Sequence, residues 1–225
     1  MSKSLKSFEG PERRTYYDMN PWYQKNRNDQ IFDWHQHVEE ADQDLLRFLK
    51  VKLQLHKPCS VLEVGCGGGD FTLRYSQQSF SHVAFEFSDV AVEMARSKPN
   101  PYQIRFRQAD ALDESAYSDS PFDFVVAKDV LHCLLREDRK VFLKNLKGAL
   151  SDRGLILLTT HAGLPKNQEV LKLIDLTTRE NHLSTRVYLE QERIEAEFAK
   201  VGLEPLEIEC LAGQLVLYLL RSRES

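Results

Sequence analysis

The sequence predicts an α/β fold: a mostly parallel sheet with helices on both faces, an antiparallel hairpin at its C-terminal end, and a helical extension in front. Three observations carry this. From residue 60 onward, short apolar runs alternate with helical patterns, as parallel strands joined by crossover helices require. Several runs are near-continuously apolar, which suits strands covered on both faces. The last two runs are joined only by Cys210-Leu211-Ala212-Gly213, too short a link for a crossover, so they pair as a hairpin and one strand of the sheet runs antiparallel.

Taken in order, residues 1 to about 35 are polar but interleaved with Tyr16, Tyr17, Trp22, Tyr23, Phe32 and Trp34. A disordered tail carries few aromatics, so this segment is expected to fold back onto the rest. Val38, Ala41, Leu45, Phe48 and Leu49 recur at helical spacing and predict an amphipathic helix over His37–Leu53. Residues 1–54 therefore read as an extension or lid, and 55–225 as the main domain. Strands are predicted at Ser60–Val64, His82–Phe87, Ile104–Arg107, Phe122–Ala127 and Gly154–Thr160. Helices are predicted at Phe71–Ser76, Val90–Arg96, Arg139–Leu150 and Val187–Val201. The closing hairpin pairs Glu204–Glu209 with Gln214–Leu220.

The totals narrow the function. With 225 residues and 42% hydrophobic content, one α/β domain with a modest extension can build a full core. The balance of 30 basic and 34 acidic residues, net −4, leaves no electrostatic footprint for nucleic acid. No run of about 18 apolar residues predicts a membrane span, and Met1–Arg14 lacks the apolar centre of a secretory signal. Cys59, Cys66, Cys133 and Cys210 are scattered without a C-x-x-C pair, which favours neither zinc nor a disulfide framework and suits a reducing, cytoplasmic setting.

In an open parallel sheet, ligands bind beyond the carboxyl ends of the strands, so the residues just after each strand are the candidates. After the first come Gly65, Gly67, Gly68 and Gly69, a loop that lets a ligand approach the backbone and leads into a helix N-terminus. A tight strand-to-helix turn would use the same glycines. The dinucleotide fingerprint fails because Asp70 stands at its third glycine, where an acid would repel a pyrophosphate. After the second strand, Glu86 lies 21 positions beyond Gly65, where a carboxylate accepts from both hydroxyls of a ribose; a solvent-facing loop acid is the alternative. After the third, Asp110-Ala111 offers an acceptor for an adenine amine beside a small residue, or else a turn-former. After the fourth come Lys128, Asp129, Leu131 and His132, where a reacting centre would lie.

Together these residues resemble the class I S-adenosylmethionine-dependent methyltransferases, a Rossmann-like family with a seven-stranded sheet. The family's first motif, an acid followed by spaced glycines, stands as Glu63-Val64-Gly65-Cys66-Gly67-Gly68-Gly69. The second stands as Glu86-Phe87-Ser88, the third as Asp110-Ala111, and the fourth as the run Phe122–His132, with the antiparallel last hairpin as a further likeness. The resemblance covers residues 55–220 and implies S-adenosylmethionine as cofactor. By the family pattern, the loop of Gly65, Cys66 and Gly67 would hold the methionine end, Glu63 the amino group, Glu86 the ribose, and Phe87 and Ala111 the faces of the adenine. Lys128 would line the same site. Trp22 and Phe32-Asp33-Trp34 resemble the cofactor-covering segment of enzymes related to the elongation factor 1A lysine methyltransferases; pinning the extension to the core is their other reading. The run Asp129-Val130-Leu131-His132 departs from that lysine-modifying group and looks more like the small-molecule enzymes.

Methyl transfer from a sulfonium is an in-line displacement that needs alignment and exclusion of water, plus a base when the acceptor must lose a proton. His132 is the first candidate base and His161 the second, each otherwise a polar rim residue. Cys133 reads as a small packed residue. The insert His161–Arg186 and the N-terminal aromatics are expected to select the acceptor. A small molecule is the leading partner, with a protein lysine, or a scaffold that binds the cofactor without catalysis, as rivals. Neither nucleic acid nor membrane is expected as a partner, and no metal.

Overall fold

The computed structural model describes residues 8–9, 15–16, 23–24, 35–55, 60–77, 80–134, 136–161, 191–211 and 215–223. Near the N-terminus, Phe8–Glu9 (β1) pairs antiparallel with Thr15–Tyr16 (β2) in a two-stranded ribbon. Tyr23 and Gln24 are helical. Helix α1 then runs over His35–Leu55. The main sheet is built from β3 (Ser60–Val64), β4 (Ser81–Glu86), β5 (Arg105–Gln108), β6 (Phe122–Lys128), β7 (Leu150–His161), β8 (Leu203–Cys210) and β9 (Leu215–Ser222). Between them lie α2 (Asp70–Tyr75), α3 (Asp89–Ser97), α4 (Arg136–Gly148) and α5 (Gln191–Lys200).

The strand order is β5-β4-β3-β6-β7-β9-β8, with β3 to β7 parallel and β9 antiparallel to both neighbours. The seven strands and the hairpin match the sequence expectation. The chain starts in the middle of the sheet, works out to β5, then crosses to β6, so the strand order reverses between β3 and β6. That reversal leaves a crevice at the carboxyl ends of these two strands.

Side chains alternate across the sheet, as the period of two requires. Val61, Phe124, Val126, Leu157, Leu217 and Leu219 point to one face and pack with Leu45, Leu49 and Leu53 of α1 and Phe71 and Tyr75 of α2. Leu62, Val64, Val125, Ile156, Leu158 and Tyr218 point to the other and pack with Phe142, Leu143 and Leu146 of α4 and Phe198 of α5. Helix α1 is thus part of the core, with Leu45 and Leu49 fully buried.

Two differences from the sequence expectation have local causes. Strand β7 begins at Leu150, four residues earlier than its apolar run suggests, because Ser151–Arg153 extend the strand past a register shift opposite Phe122 and Phe124. The second strand ends at Glu86 instead of Phe87, because the Glu86 carboxylate turns to accept from Ser88 N–H and bends the chain out of the sheet. Trp22, Trp34 and the insert after His161 lie outside the described residues.

Candidate active site

Strand β3 ends in a loop whose backbone only glycine adopts easily. Gly65, Gly67 and Gly69 all have positive φ, at 75°, 52° and 81°. The N–H groups of Gly65 and Cys66 both donate to Phe85 O, at 2.9 and 3.1 Å, and fold the loop over the end of β4. A Cβ on Gly65 would stand 2.5 Å from Val130 Cγ2, so the loop also touches the segment after β6. At the far end, a Cβ on Gly69 would meet Ala95 at 2.9 Å, and the missing side chain lets α3 pack close. Asp70 is paired with Lys98 at 2.6 Å. That ion pair offsets part of its charge, and Glu63 and Glu86 are the acids buried against this loop.

Glu86 closes β4 with its carboxylate turned back to the loop. Oε2 accepts from Gly67 N–H and Oε1 from Ser88 N–H, both at 3.1 Å. Burial raises its pKa, against the pull of these N–H groups. Glu63, one residue before the end of β3, is only 1% exposed. Burial lifts its pKa to about 7, opposed by the hydroxyls of Tyr75 and Thr72 and by Lys128. Asp110 adopts the turn-forming geometry, its Oδ1 accepting from Leu112 N–H at 2.8 Å. The carbonyl of Ala111 is held by Tyr117 at 2.9 Å and Asn145 at 3.2 Å. Phe87 is exposed at the same rim.

Among the described residues of the extension, Tyr23 reaches this loop, next to the expected Trp22. The Tyr23 hydroxyl lies 3.1 Å from where a Cβ on Gly67 would stand. Burial raises its pKa strongly, and the nearby Glu86, Cys66 and Cys133 add to the shift. Trp22 and Trp34 were the expected covers; Tyr23 is adjacent to the first, and only its placement among a run of aromatics hinted at it. Burial, Glu63 and Glu86 push the Cys66 thiol well up, which leaves it unreactive. Cys133 is exposed, not packed. The short 3₁₀ turn Leu131–Cys133 advances about a third of a turn per residue, so Leu131 and His132 face inward and Cys133 outward.

The ends of β6 and β7 carry a second polar cluster. Lys128 Nζ lies 3.2 Å from Asp42 Oδ1 of α1, 3.0 Å from Asp129 Oδ2, and 5.4 Å from the Phe71 ring. Burial would lower its pKa, but Asp129 and Asp42 outweigh it and the net shift is upward. Asp129 sits in the left-handed region at φ 60°, a conformation Asp tolerates better than most residues. Its N–H donates to Thr159 O and Oγ1, at 3.2 and 3.1 Å, and Thr159 Oγ1 donates to Asp129 Oδ1 at 3.1 Å. Burial works to raise its pKa, but Lys128, His132 and His161 win and hold it down. His132 is 3% exposed, and its Nδ1 lies 3.5 Å from Thr160 Oγ1. His161 is partly exposed at the end of β7. The two candidate bases are therefore neighbours across β6 and β7, with Asp129 charged beside them. The sequence placed Asp129 after β6 but gave it no role.

Residues 26–208 match the family model described as a methyltransferase domain. The chain belongs to this methyltransferase family. Its sheet is that of the class I, S-adenosylmethionine-dependent members. Similar solved structures include a DhpI–SAH complex, 13% identical with a TM-score of 0.69, covering 92% of this chain and 97% of that one. The PH0226 protein of Pyrococcus horikoshii OT3 is 20% identical with a TM-score of 0.64, covering 86% and 92%. An O-methyltransferase family protein of Burkholderia thailandensis is 13% identical with a TM-score of 0.70, covering 99% and 66%. Among sequence relatives, the ubiquinone biosynthesis O-methyltransferase of Rickettsia felis is 25% identical over 100 residues, 44% of this chain and 40% of that protein. A Geobacillus sp. (strain WCH70) protein named as a methyltransferase is 26% identical over 155 residues, 66% of this chain and 58% of that protein. The matched regions thus span about half the length of these relatives.

The residues at the crevice fit S-adenosylmethionine. Two carboxylates at the ends of adjacent strands suit a ligand that brings an ammonium group and a ribose diol, and they oppose one that brings phosphates. Each carboxylate accepts about four hydrogen bonds, so Glu86 keeps capacity beyond Gly67 and Ser88. A Cβ at Gly67 would crowd the Tyr23 hydroxyl at 3.1 Å, so the loop takes its approach to Tyr23 from the missing side chain. Among the described residues, no cluster of metal-ligating side chains occurs, and no helix is long and apolar enough to cross a membrane.

Proposed function

We propose that this protein transfers the methyl group of S-adenosylmethionine to a small-molecule acceptor whose nucleophile must first lose a proton, a hydroxyl oxygen being the foremost case. The observation that carries this is the trio of Asp129, His132 and His161 at the carboxyl ends of β6 and β7, beside the glycine loop. A carboxylate held ionised next to a partly exposed imidazole is the arrangement that makes histidine an effective base. An acceptor that is already a free thiolate or amine would not need it.

S-adenosylmethionine supplies an activated methyl group on a sulfonium. In this reading Gly65, Cys66 and Gly67 cradle its methionine end, Glu63 takes the ammonium group and Glu86 the ribose hydroxyls. Phe87 and Ala111 flank the adenine, and Asp110 faces its amine. Tyr23 closes over the loop at Gly67 and keeps water from the crevice. Lys128 stands outside this set, since its charge is engaged by Asp42 and Asp129, and it ties α1 to the end of β6. His161 takes the acceptor's proton on a ring nitrogen, Asp129 stabilises the resulting imidazolium, and His132 buttresses the ring from the buried side. The O-methyltransferases among the relatives are consistent with an oxygen acceptor.

The test is transfer of a radiolabelled methyl group from S-adenosylmethionine into a fractionated cell extract. Label in low-mass metabolites supports the proposal; label in protein overturns it in favour of a protein acceptor. Thermal unfolding with S-adenosylmethionine, S-adenosylhomocysteine and NAD checks the site itself. The first two should stabilise the protein, Glu86→Ala should weaken that effect, and stabilisation by NAD alone would remove the cofactor assignment.

A further inference from the structure

Behind the glycine loop, between the sheet and α2, runs a chain of polar groups that the proposed function does not use beyond its first member. Glu63 Oε2 lies 2.7 Å from the Tyr75 hydroxyl. That hydroxyl is 3.1 Å from His82 Nε2. His82 Nδ1 is 2.8 Å from Ser76 Oγ, and Ser76 Oγ donates to Thr72 O at 2.7 Å. Glu63, Tyr75, His82, Ser76 and Thr72 are all buried. The topology places them together: His82 pairs with Val61 in the β3–β4 register, on the same face as Glu63, and Tyr75 and Ser76 close α2 above them.

Counting protons fixes the direction of the chain. The Thr72 carbonyl has none, so the proton in the last contact belongs to Ser76. Ser76 Oγ must then accept from His82 Nδ1–H. A neutral imidazole has one N–H, which leaves Nε2 as an acceptor. Burial keeps this imidazole neutral, its pKa lowered to about 3. Nε2 therefore takes the single proton of Tyr75. Tyr75 now offers Glu63 only lone pairs, and a carboxylate has only lone pairs to return. At 2.7 Å that contact is a hydrogen bond only if Glu63 carries the proton. The reversed chain, with Tyr75 donating to an ionised Glu63, leaves Ser76 Oγ and Thr72 O at 2.7 Å with no hydrogen between them.

We propose that Glu63 is a neutral carboxylic acid in the ligand-free protein, held so by His82 acting through Tyr75, and that it gives up this proton to solvent when the ammonium group of the methyl donor binds. This rests on the reading that Glu63 receives that group. The other groups around Glu63 leave the balance near neutrality. Lys128 on β6 favours the carboxylate, but its charge is shared with Asp42 on α1 and with Asp129. Asp42 opposes ionisation, and the Thr72 hydroxyl on α2 favours it. The Cys66 thiol faces the same acid from the loop. Burial is the largest influence on Glu63 and raises its pKa; a Tyr75 hydroxyl that donated to the carboxylate would oppose this, and in the chain as ordered here that opposition is missing. His82 is thus a positioning residue for the cofactor site that touches no ligand.

Calorimetry of S-adenosylmethionine binding to the full chain tests this, run at pH 5.5 to 7.5 in pairs of buffers with different ionisation enthalpies. Binding at pH 5.5 should release on the order of one proton, falling toward none by pH 7.5, with affinity rising up to about tenfold per pH unit below the midpoint. His82→Leu frees the Tyr75 proton for Glu63, so the midpoint should drop by about one pH unit or more and the release at pH 5.5 should shrink. His82→Gln, whose carbonyl can accept from Tyr75, should restore the wild-type midpoint. An unchanged midpoint in His82→Leu overturns the inference. Glu63→Gln should bind more weakly with no proton release; wild-type affinity there would overturn the ammonium reading of Glu63 instead. Should His82→Leu fail to fold, infrared difference spectra of the unmutated protein decide. A carboxylic-acid carbonyl band lost on donor binding, and missing in Glu63→Gln, supports the inference, and no such band overturns it.

Discussion

The His132 and His161 rings meet edge to face, with centroids 4.9 Å apart and planes at 71°. One comes from the turn after β6 and the other from the end of β7, so the contact joins two neighbouring strands, the first of which borders the crevice. Asp129 is held ionised by Lys128 and by both imidazoles. That coupling is mutual, so its loss should be readable in the reaction. His161→Ala should slow methyl transfer by about 10²- to 10⁴-fold, the usual contribution of a positioned base. Asp129→Asn should keep part of the rate but move its acid limb to lower pH, because the proton is held less tightly. Transfer rates across pH on the same labelled metabolite fraction measure both, and an unmoved acid limb would separate Asp129 from the base.

The glycine loop gives a stability prediction. Gly65 combines a φ of 75° with a missing Cβ that would stand 2.5 Å from Val130 Cγ2. Gly65→Ala therefore meets two penalties, backbone strain and a clash, and should cost about 2 to 4 kcal/mol together. Val130→Ala removes the methyl that is struck but leaves the backbone strain. The double variant should recover about 1 kcal/mol or more relative to the sum of the single changes. Denaturant unfolding of the four proteins gives the coupling, and strict additivity would show that the clash is relieved elsewhere.

What could be read ahead follows from how local each signal is. Ser60–Val64 is strand in sequence and structure alike, because an apolar run and the turn-forming Gly65 beside it act on neighbouring residues. Glu86 was found because it closes its own strand, and Glu63 because it opens the motif of an acid followed by spaced glycines. Tyr23 was not, since its contact with Gly67 joins residues 44 positions apart and nothing in its own neighbourhood distinguishes it from Trp22. The same holds for Asp129, whose left-handed backbone depends on Thr159 from the next strand. The polar chain from Glu63 to Ser76 was equally hidden, because a tyrosine at the end of a short helix and a histidine within a strand read separately as ordinary core residues.

Glu63 also makes the fold sensitive to alkali. In the unfolded chain a glutamate ionises near pH 4.5, whereas in the folded protein burial delays ionisation to about pH 7. Its folded pKa is raised, so the stability it contributes is fully present below about pH 4.5 and lost as pH rises through about 7. Glu63→Gln keeps the shape and a proton to donate but cannot ionise. It should match the wild type at pH 4.5 and be more stable at pH 8, by about 3 kcal/mol from the size of the shift. Thermal unfolding at the two pH values measures this. A variant less stable than the wild type at pH 8 would mean that Glu63 is buried as a satisfied carboxylate.

Lys128 separates a structural tie from a cofactor contact. Its ammonium group bridges Asp42 on α1 and Asp129 at the end of β6 and lies against the Phe71 ring, all within the core side of the crevice. Lys128→Met keeps the apolar stem but leaves Asp42 as a buried, uncompensated charge, which typically costs about 3 to 5 kcal/mol. Asp42→Asn in the same chain removes one of the two stranded charges, Asp129 keeping His132 and His161 near it, so the double variant should be more stable than Lys128→Met alone. Affinity for S-adenosylmethionine, measured at pH 8 where both variants are folded, should fall no more than about threefold, since Lys128 acts on the donor only by favouring the Glu63 carboxylate. The opposite pattern, with stability kept and donor affinity lost by a factor of about 100, would make Lys128 a direct ligand. The tie between α1 and β6 would then have to come from the apolar contacts of Leu45, Leu46, Leu49 and Leu53.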